Sequence, residues 1–246
     1  PVHNKLHPLQ LQMYRRVCEI ELNRLQEEHD KVTWQQIINK FPMILKVIDC
    51  PSVLKKSVYD DEHLSNLLDK WKLEYDSKFI QLKTILENDI EELDEKVIIF
   101  DSSPDILDLL YKHFEKYNPL IIHGSLEGIK DKEKDRTEKV KLFNSDKKYK
   151  LFLLSTHTSS SSINLQAMCR RIKFYSVPQD ATELRQGIDR TYRITSKEDT
   201  LVDIFTYPET LDRIRYERAM NRMSLNDKLT KEISQIELDN LLRGIV

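Results

Sequence analysis

The stretch KVIIFDSSPDILDLL, residues 96–110, contains a complete strand-to-helix transition. Its first part, KVIIFD, is a continuous apolar run, which is typical of a strand buried on both faces of a parallel sheet. Ser103, Pro104 and Asp105 then supply an N-cap, a proline in the first helical turn and a first-turn acid. This pattern predicts a helix whose inward-facing side chains are Ile106, Leu107, Leu110 and Phe114.

Towards the C-terminus, short apolar runs continue to alternate with helical patterns. LIIHG, KLFLLST, RIKFYSV and TLVDIFTY have the composition of strands, whereas EKVKLF and ATELRQGIDRTYR have that of helices. Such alternation predicts βαβ crossovers, and therefore an α/β fold in which helices cover both faces of a parallel sheet. In these folds, ligands bind where loops leave the carboxyl ends of the strands.

Helical patterns flank this α/β region. Behind Pro8, residues 9–29 carry one apolar stripe at three- and four-residue steps, formed by Leu11, Tyr14, Cys18, Leu22 and Leu25. Further helical patterns continue to about residue 94, and the chain returns to helix after Pro208. We predict a helical segment over residues 1–94, an α/β lobe over 95–207 and a C-terminal helical extension over 208–246.

Composition excludes several classes of protein. The 246 residues carry a net charge of −2, so no overall basic field favours non-specific binding to nucleic acid. Apolar runs fall short of the roughly 18 to 20 residues of a membrane span, and we expect no membrane insertion. The opening PVHNKLHPLQ has neither an initiating Met nor the apolar core of a signal peptide, so we expect a piece of a longer protein.

Cysteine and glycine usage limits the chemistry further. Cys18, Cys50 and Cys169 show no C-x-x-C spacing, which predicts an intracellular, reducing compartment and neither a zinc site nor disulfides. The helix-spaced pair His3 and His7 is not expected to bind metal. Because no G-x-x-x-x-G-K-[ST] occurs, the chain cannot hold a nucleoside triphosphate in the P-loop manner by itself.

One stretch, QGIDRTYR, has residue types suited to phosphoryl transfer. Arg190 and Arg193 lie three residues apart on one face of the predicted helix, and Gln186 precedes them. A guanidinium group binds phosphate through two hydrogen bonds and stabilises charge during phosphoryl transfer. Taken alone, the pattern also fits a solvated basic helix face.

A second stretch, LSTHTSSSSINLQ, leaves a strand with a run of small hydroxyl residues and enters a helix. Thr156, Ser159 and Ser160 offer hydroxyl and backbone N–H donors to phosphate oxygens, and Asn164 follows. The phosphate can belong to ATP or to a nucleic-acid backbone. A flexible serine loop explains the same residues without a ligand.

Two further turns follow predicted strands. His123, Gly124 and Ser125 end the strand LIIHG, where they can contact a phosphate backbone, although a lone His at a strand end is more often structural. Ser102 and Ser103 lie at the turn after KVIIFD, where helix capping explains one of them. The mixed-sign run KDKEKDR is interpreted as a solvated face.

In their order and approximate spacing, these stretches resemble the second lobe of Swi/Snf-type superfamily 2 helicase-like ATPases. The resemblance covers nearly residues 6 to 206, through LQLQMYRRV, DSKFIQLKTIL, KVIIFD, HGS, LLST with INLQA, and the arginine helix. LQLQMY is similar to the opening helix of the family, and Ser77 with Lys78 to its Ser-Lys pair. The resemblance implies a RecA-like three-layer fold and half of an ATP-dependent motor that moves along double-stranded DNA.

The resemblance also implies a role for each candidate at the nucleotide. Arg193 is the implied arginine finger, which reaches the γ-phosphate of ATP, and Arg190 and Gln186 support the same interface. Asn164 lies in the stretch that links the ATP cleft to the DNA backbone. ATP with Mg²⁺ is expected to be held mainly by a first lobe of the same polypeptide.

The remaining candidates are implied to contact nucleic acid. These are the residues of the serine stretch and of the two strand-end turns: Thr156, Ser159, Ser160, Ser102, Ser103, His123, Gly124 and Ser125. Other proteins are further expected partners, through the helical ends of the chain.

The sequence departs from the family pattern at several positions. Ser159 and Ser160 stand where the family has two glycines, and a left-handed backbone at a serine costs about 1 kcal/mol, so we expect slow ATP turnover. SVPQDATEL replaces Trp-Asn-Pro, and Thr195 with Ser196 replaces Gly-Gln. We interpret these changes as a divergent branch, with a viral origin as one hypothesis.

Two other functions stay open. A degenerate lobe that only docks protein partners through its helical ends fits the same elements. An unrelated doubly wound enzyme, such as a nucleotide transferase, is disfavoured because G-x-G-x-x-G, G-x-S-x-G and H-E-x-x-H are all absent. The sequence does not distinguish translocation from strand separation.

Overall fold

The computed structural model describes residues 1–28, 42–54, 61–124, 132–157, 169–178, 181–189 and 199–223. The chain divides into two compact units: a sheet unit, Pro1–Val2 with Gln81–Phe205, and a helical unit, His3–Ile80 with Thr206–Val246. The helical unit therefore combines segments from both ends of the sequence. The predicted three-part division into 1–94, 95–207 and 208–246 stays a prediction.

Strands in the described part of the chain form one six-stranded sheet with the order β1-β6-β5-β2-β4-β3. In chain order they are Val2–His3 (β1), Val97–Asp101 (β2), Leu120–Ile122 (β3), Leu151–Ser155 (β4), Arg171–Phe174 (β5) and Leu201–Thr206 (β6). Parallel pairs join β2 to β4, β2 to β5, β3 to β4 and β5 to β6. β2 and β4 are buried along their whole length, as their continuous apolar sequences predict.

Eight α-helices fall within the described residues. They are Pro8–Glu28 (α1), Pro42–Asp49 (α2), Glu62–Lys70 (α3), Ser77–Leu86 (α4), Pro104–His113 (α5), Lys132–Ser145 (α6), Ala181–Asp189 (α7) and Leu211–Met223 (α8). A π-helical turn, Glu87–Glu92, continues α4. No helix in the ranges given above is both long and apolar enough to cross a membrane.

The connections of the sheet unit place helices on both faces of the sheet. From β2 the chain passes through α5 towards the edge of the sheet formed by β3. From β3 through α6, and from β5 through α7, it passes in the opposite direction, towards the edge formed by β1. Because βαβ crossovers are right-handed, opposite directions of travel put the helices on opposite faces. The predicted α/β fold, a RecA-like parallel sheet between helical layers, is confirmed.

In the helical unit, α1 packs against α2 and α3. Tyr14 and Cys18 of the predicted stripe are buried, Leu11 is partly buried, and the side chains of Leu22 and Leu25 lie outside the description. The buried face of α1 is wider than predicted, because Met13 and Val17 also join the core. Their partners include Ile44, Val47, Ile48, Leu64, Leu67, Tyr207 and Leu211.

Four charged side chains form a buried quartet in the helical unit. Lys78 Nζ lies 2.7 Å from Asp212 Oδ2 and 3.2 Å from Asp49 Oδ1. Arg215 Nη1 lies 3.0 Å from Asp212 Oδ1 and 3.4 Å from Asp49 Oδ2. Burial by itself lowers the pKa of Lys78, but the carboxylates of Asp212 and Asp49 reverse the effect, so that this pKa is raised. Two positive and two negative groups thus neutralise one another inside the unit.

Candidate functional site at the carboxyl ends of the strands

Half of the predicted site residues lie within the described part of the chain. Those after strands are Ser102 and Ser103 after β2, His123 and Gly124 after β3, and Thr156 after β4. Because β3, β4 and β2 are parallel neighbours, these residues lie together at the carboxyl ends of the strands. The candidates outside the described residues, whose roles stay predictions, are Arg190, Arg193, Asn164, Ser125, Ser159 and Ser160.

Asp101, at the end of β2, connects three of these strand ends. Its side chain is buried, and Oδ1 accepts the backbone N–H of Ser103 at 2.7 Å. Oδ2 accepts the hydroxyl of Ser176, which follows β5. The carbonyl oxygen of Asp101 accepts the N–H of Thr156 at 3.1 Å. One buried residue therefore fixes the backbone at the ends of β2 and β4 and contacts the end of β5.

Ser103 occupies the predicted N-cap position of α5, with φ −94° and ψ 116°, but its hydroxyl makes no capping bond. The prediction that capping explains one of the two serines is therefore wrong for the Ser103 side chain. The turn is held by the Asp101 carboxylate, whose bond to the residue two positions later is an Asx turn. Ser102 and Ser103 are half-buried, and their hydroxyls have no partner among the residues described here. Both are free to bind a ligand.

His123 is held inside the sheet unit. Its side chain is only 2% exposed, and Nε2 lies 3.0 Å from Asp108 Oδ1 on α5. Nδ1 is buried without a hydrogen-bond partner in the described residues. This burial favours the structural alternative for the imidazole. Gly124, the next residue, is exposed and is the part of this turn that faces solvent.

His157 links the end of β4 to α7. Its Nδ1 lies 3.1 Å from Glu183 Oε1 in the first turn of α7. The other carboxylate oxygen, Oε2, is buried and has no hydrogen-bond partner within the described ranges.

Helix α7 lies unusually close to β5 because one of its residues is glycine. A Cβ added to Gly187 would lie 2.8 Å from Cζ and 3.2 Å from Cε1 of Phe174. Phe174 stacks on Phe100 of β2 with 5.2 Å between ring centroids. Gln186 is exposed on the outer side of α7, and the helix ends at Asp189, directly before Arg190.

Several residues of this edge were not predicted to be functional. They are Asp101, Ser176, His157, Glu183 and Gly187. Gly187 and Asp101 carry a signal in the sequence. A glycine inside a helical pattern often marks a close contact, and an Asp side chain often accepts a hydrogen bond from the N–H of the residue two positions later in a turn. The His157–Glu183 contact has no such signal, because it joins separate elements.

The strand ends carry hydroxyl groups and one buried carboxylate, that of Asp101. The groups with spare hydrogen-bonding capacity are the hydroxyls of Ser102 and Ser103, and Asp101 already accepts two internal bonds. Within the part of the chain that the structure describes, no group of three or more His, Cys, Asp or Glu is placed to hold a metal. Hydroxyl groups of this kind can donate hydrogen bonds to phosphate oxygens.

Comparison with known proteins identifies relatives in both sequence and fold. Residues 77–195 match the family model for the helicase conserved C-terminal domain. The C-terminal part of the Fun30 ATPase domain superposes with a TM-score of 0.65 at 18% identity, over 99% of this chain and 97% of that one. The chain therefore has the fold of the second lobe of Swi/Snf-type superfamily 2 ATPases, as the resemblance implied.

The curated relatives that this chain matches are much longer proteins. The chain is 28% identical over 183 residues to the mouse DNA excision repair protein ERCC-6-like. The aligned residues cover 72% of this chain and 14% of the mouse protein. A Sulfolobus solfataricus SWI2/SNF2 ATPase core in complex with dsDNA superposes with a TM-score of 0.65 at 20% identity, over 98% of this chain and 49% of that one. The curated relatives come from animals, fungi and a plant, which gives no support to a viral origin.

Proposed function

We propose that this Swi/Snf-type lobe is the second half of an ATP-dependent translocase on double-stranded DNA. A first lobe of the same polypeptide holds ATP and Mg²⁺. Arg193 reaches the γ-phosphate as arginine finger, Arg190 and Gln186 support that interface, and Asn164 contributes to the ATP cleft. Closure of the two lobes around ATP then moves the protein along DNA.

The observation that carries this proposal is the convergence of predicted residues on one edge of the sheet. The free hydroxyls of Ser102 and Ser103 lie at the same edge as Thr156. The His157–Glu183 contact joins that edge to α7, from which the chain continues to Arg190. The proposed phosphate contacts and α7 are thus neighbours, which supports a motor that couples DNA contact to hydrolysis.

Contacts to the DNA backbone are assigned to the strand-end residues. Hydroxyl and backbone N–H donors there position a phosphate backbone without reading base sequence. The proposed contacts are Ser102, Ser103, His123, Gly124, Ser125, Thr156, Ser159 and Ser160. An intracellular, reducing location is also proposed, and it is supported by Cys18, Cys50 and Cys169, which are buried free thiols.

Substitution of the proposed finger tests the assignment in the protein that carries both lobes. Arg193→Ala is expected to lower kcat for ATP hydrolysis by about 10³-fold or more while nucleotide binding is retained, because a finger stabilises charge in the transition state. Arg185→Ala is the matched control, since Arg185 lies on α7 with 68% of its side chain exposed. An Arg193→Ala protein that keeps most of its activity would contradict the finger assignment.

Two further measurements separate the motor from its alternatives. The lobe alone is expected to hydrolyse no ATP, because it lacks a phosphate-cradling loop; turnover by the lobe alone would contradict the half-motor proposal. The two-lobe protein is expected to bind duplex DNA, more strongly at low salt. Undetectable DNA affinity at low salt would instead support a degenerate lobe that docks proteins.

A further inference from the structure

We infer that His157 and Glu183 are positioning residues that couple DNA contact at the end of β4 to α7, the helix that precedes Arg190 in the chain. This inference rests on the proposed function and deepens it, because it names a contact through which DNA regulates ATP hydrolysis. Neither residue touches ATP or DNA in this scheme. The two act through their neighbours.

The pair joins residues that stand directly beside the two proposed activities. His157 follows Thr156, a proposed DNA contact, and Glu183 lies three residues before Gln186, a proposed support of the ATP interface. Residues three apart lie on neighbouring positions of one helix face. The 3.1 Å between His157 Nδ1 and Glu183 Oε1 is therefore a short route from the DNA side to the ATP side.

Both ends of the pair are attached to the sheet. The backbone before His157 is held by the hydrogen bond from Thr156 N–H to the carbonyl of Asp101, at 3.1 Å. Helix α7 is held by the close contact of Gly187 with Phe174. Because packed elements move as rigid bodies, a shift of the β4 end that breaks or tightens the pair changes the position of the first turn of α7.

The burial of the two partners makes Glu183 dependent on His157. The Glu183 side chain is only 19% exposed, whereas that of His157 is 56% exposed. Loss of the imidazole leaves a largely buried carboxylate without this 3.1 Å contact, and such a group moves to find water or a donor.

A double-mutant cycle in the two-lobe protein tests this coupling. The measured quantity is the ratio of ATPase rates with saturating duplex DNA and without DNA. His157→Ala and Glu183→Ala are each expected to lower this ratio by about three- to tenfold, while the rate without DNA and the KM for ATP change less than about twofold. The double variant is expected to be no worse than either single variant, because both remove one interaction.

Two substitutions that replace the imidazole by a side-chain amide, His157→Asn and His157→Gln, provide a matched control. In His157→Asn the side-chain amide nitrogen takes the place of imidazole Nδ1, so the stimulation ratio is expected to recover to within about twofold of wild type. In His157→Gln the nitrogen reaches the place of Nε2, which has no role in the pair, and the ratio is expected to stay low.

The outcomes separate this inference from the proposed function. If the wild-type ATPase does not respond to DNA, the proposed function fails and the coupling fails with it. If the wild type responds but the single variants keep its ratio, or the double variant shows additive losses, the coupling alone is overturned. A parallel loss of rate with and without DNA, together with a lower Tm, also overturns it, since that is the result of a purely structural contact.

Discussion

The buried quartet of the helical unit and the strand-end residues of the sheet unit are both polar, but they differ in whether their side chains have hydrogen-bond partners within the described residues. Lys78 is fully buried and contacts both carboxylates of the quartet. Ser102 and Ser103 are half-buried, and their hydroxyls have no partner in the described part of the chain. Polar groups that are satisfied internally stabilise the fold, whereas those left unsatisfied at an edge are available to a ligand. Lys78, the lysine of the Ser-Lys pair in the family pattern, thus has a structural role in the helical unit.

The largest expected effect is the loss of one member of the quartet. Lys78→Met leaves the two carboxylates of Asp49 and Asp212 with one cation of the quartet, Arg215. One buried negative charge is then uncompensated, and this is expected to lower the free energy of unfolding by about 3 to 5 kcal/mol. Urea-induced unfolding measures this change. Lys116→Met is the control, because Lys116 pairs with Glu91 at 2.7 Å while 52% exposed, and its loss is expected to cost at most about 1 kcal/mol. Equal effects would show that burial does not strengthen the quartet.

A second buried acid of the helical unit gives stability a defined pH dependence. Asp76 Oδ1 accepts the N–H of Phe79 and the hydroxyl of Tyr207, both at 3.2 Å. Burial raises the pKa of Asp76 from its ordinary value of 3.8 to about 6, although these hydrogen bonds oppose the increase. The folded state therefore binds this proton more tightly than the unfolded state. The associated stability is complete below about pH 4 and is lost as the pH rises through 6.

The variant Asp76→Asn isolates this titration, because it keeps a side-chain oxygen acceptor and cannot ionise. A pKa difference of about two corresponds to about 3 kcal/mol. The unfolding free energy of wild type minus that of Asp76→Asn is expected to fall by about this amount between pH 4 and pH 7, measured by urea unfolding. A difference that stays constant, or rises with pH, would contradict the raised pKa.

A smaller effect is expected where α7 meets the sheet. Gly187→Ala puts a Cβ 2.8 Å from Phe174 Cζ, and relief of this overlap is expected to cost about 1 to 3 kcal/mol of stability. Thermal unfolding measures the loss. Adding Phe174→Leu shortens the opposing side chain, so the double variant is expected to lose less than the sum of the two single losses. An unchanged Gly187→Ala protein would show that α7 does not lie this close to β5.

The smallest expected effect on stability is at the strand-end serines. Ser103→Ala is expected to change the unfolding free energy by less than about 0.5 kcal/mol, because the hydroxyl makes no capping bond. A capping serine would cost about 1 kcal/mol. In the two-lobe protein the same change is expected to weaken duplex DNA binding by about fivefold, through one lost hydrogen bond. A protein that loses stability but keeps its DNA affinity would reverse the comparison between the two regions.

The elements of the α/β region were predictable because their signals are local. Continuous apolar runs predicted β2 and β4, and three- and four-residue spacing predicted α5, whose Ile106, Leu107, Leu110 and Phe114 are buried as expected. The side-chain partners within the candidate site were less predictable. A helix start was correctly placed at Ser103, but the group that holds the turn is the Asp101 carboxylate, which was not predicted although an Asp two residues before a turn N–H is a local signal.

Periodicity and composition in the sequence determined the type and order of the elements, because these patterns depend on neighbours within one or two turns. The order of motifs also indicated the Swi/Snf-type lobe. Tertiary structure decided the strand order, the close approach of Gly187 to Phe174 and the partners of Lys78, which lie 29 and 134 residues away along the chain. No local pattern encodes such contacts, since they form only when the packing of the whole unit brings distant segments together.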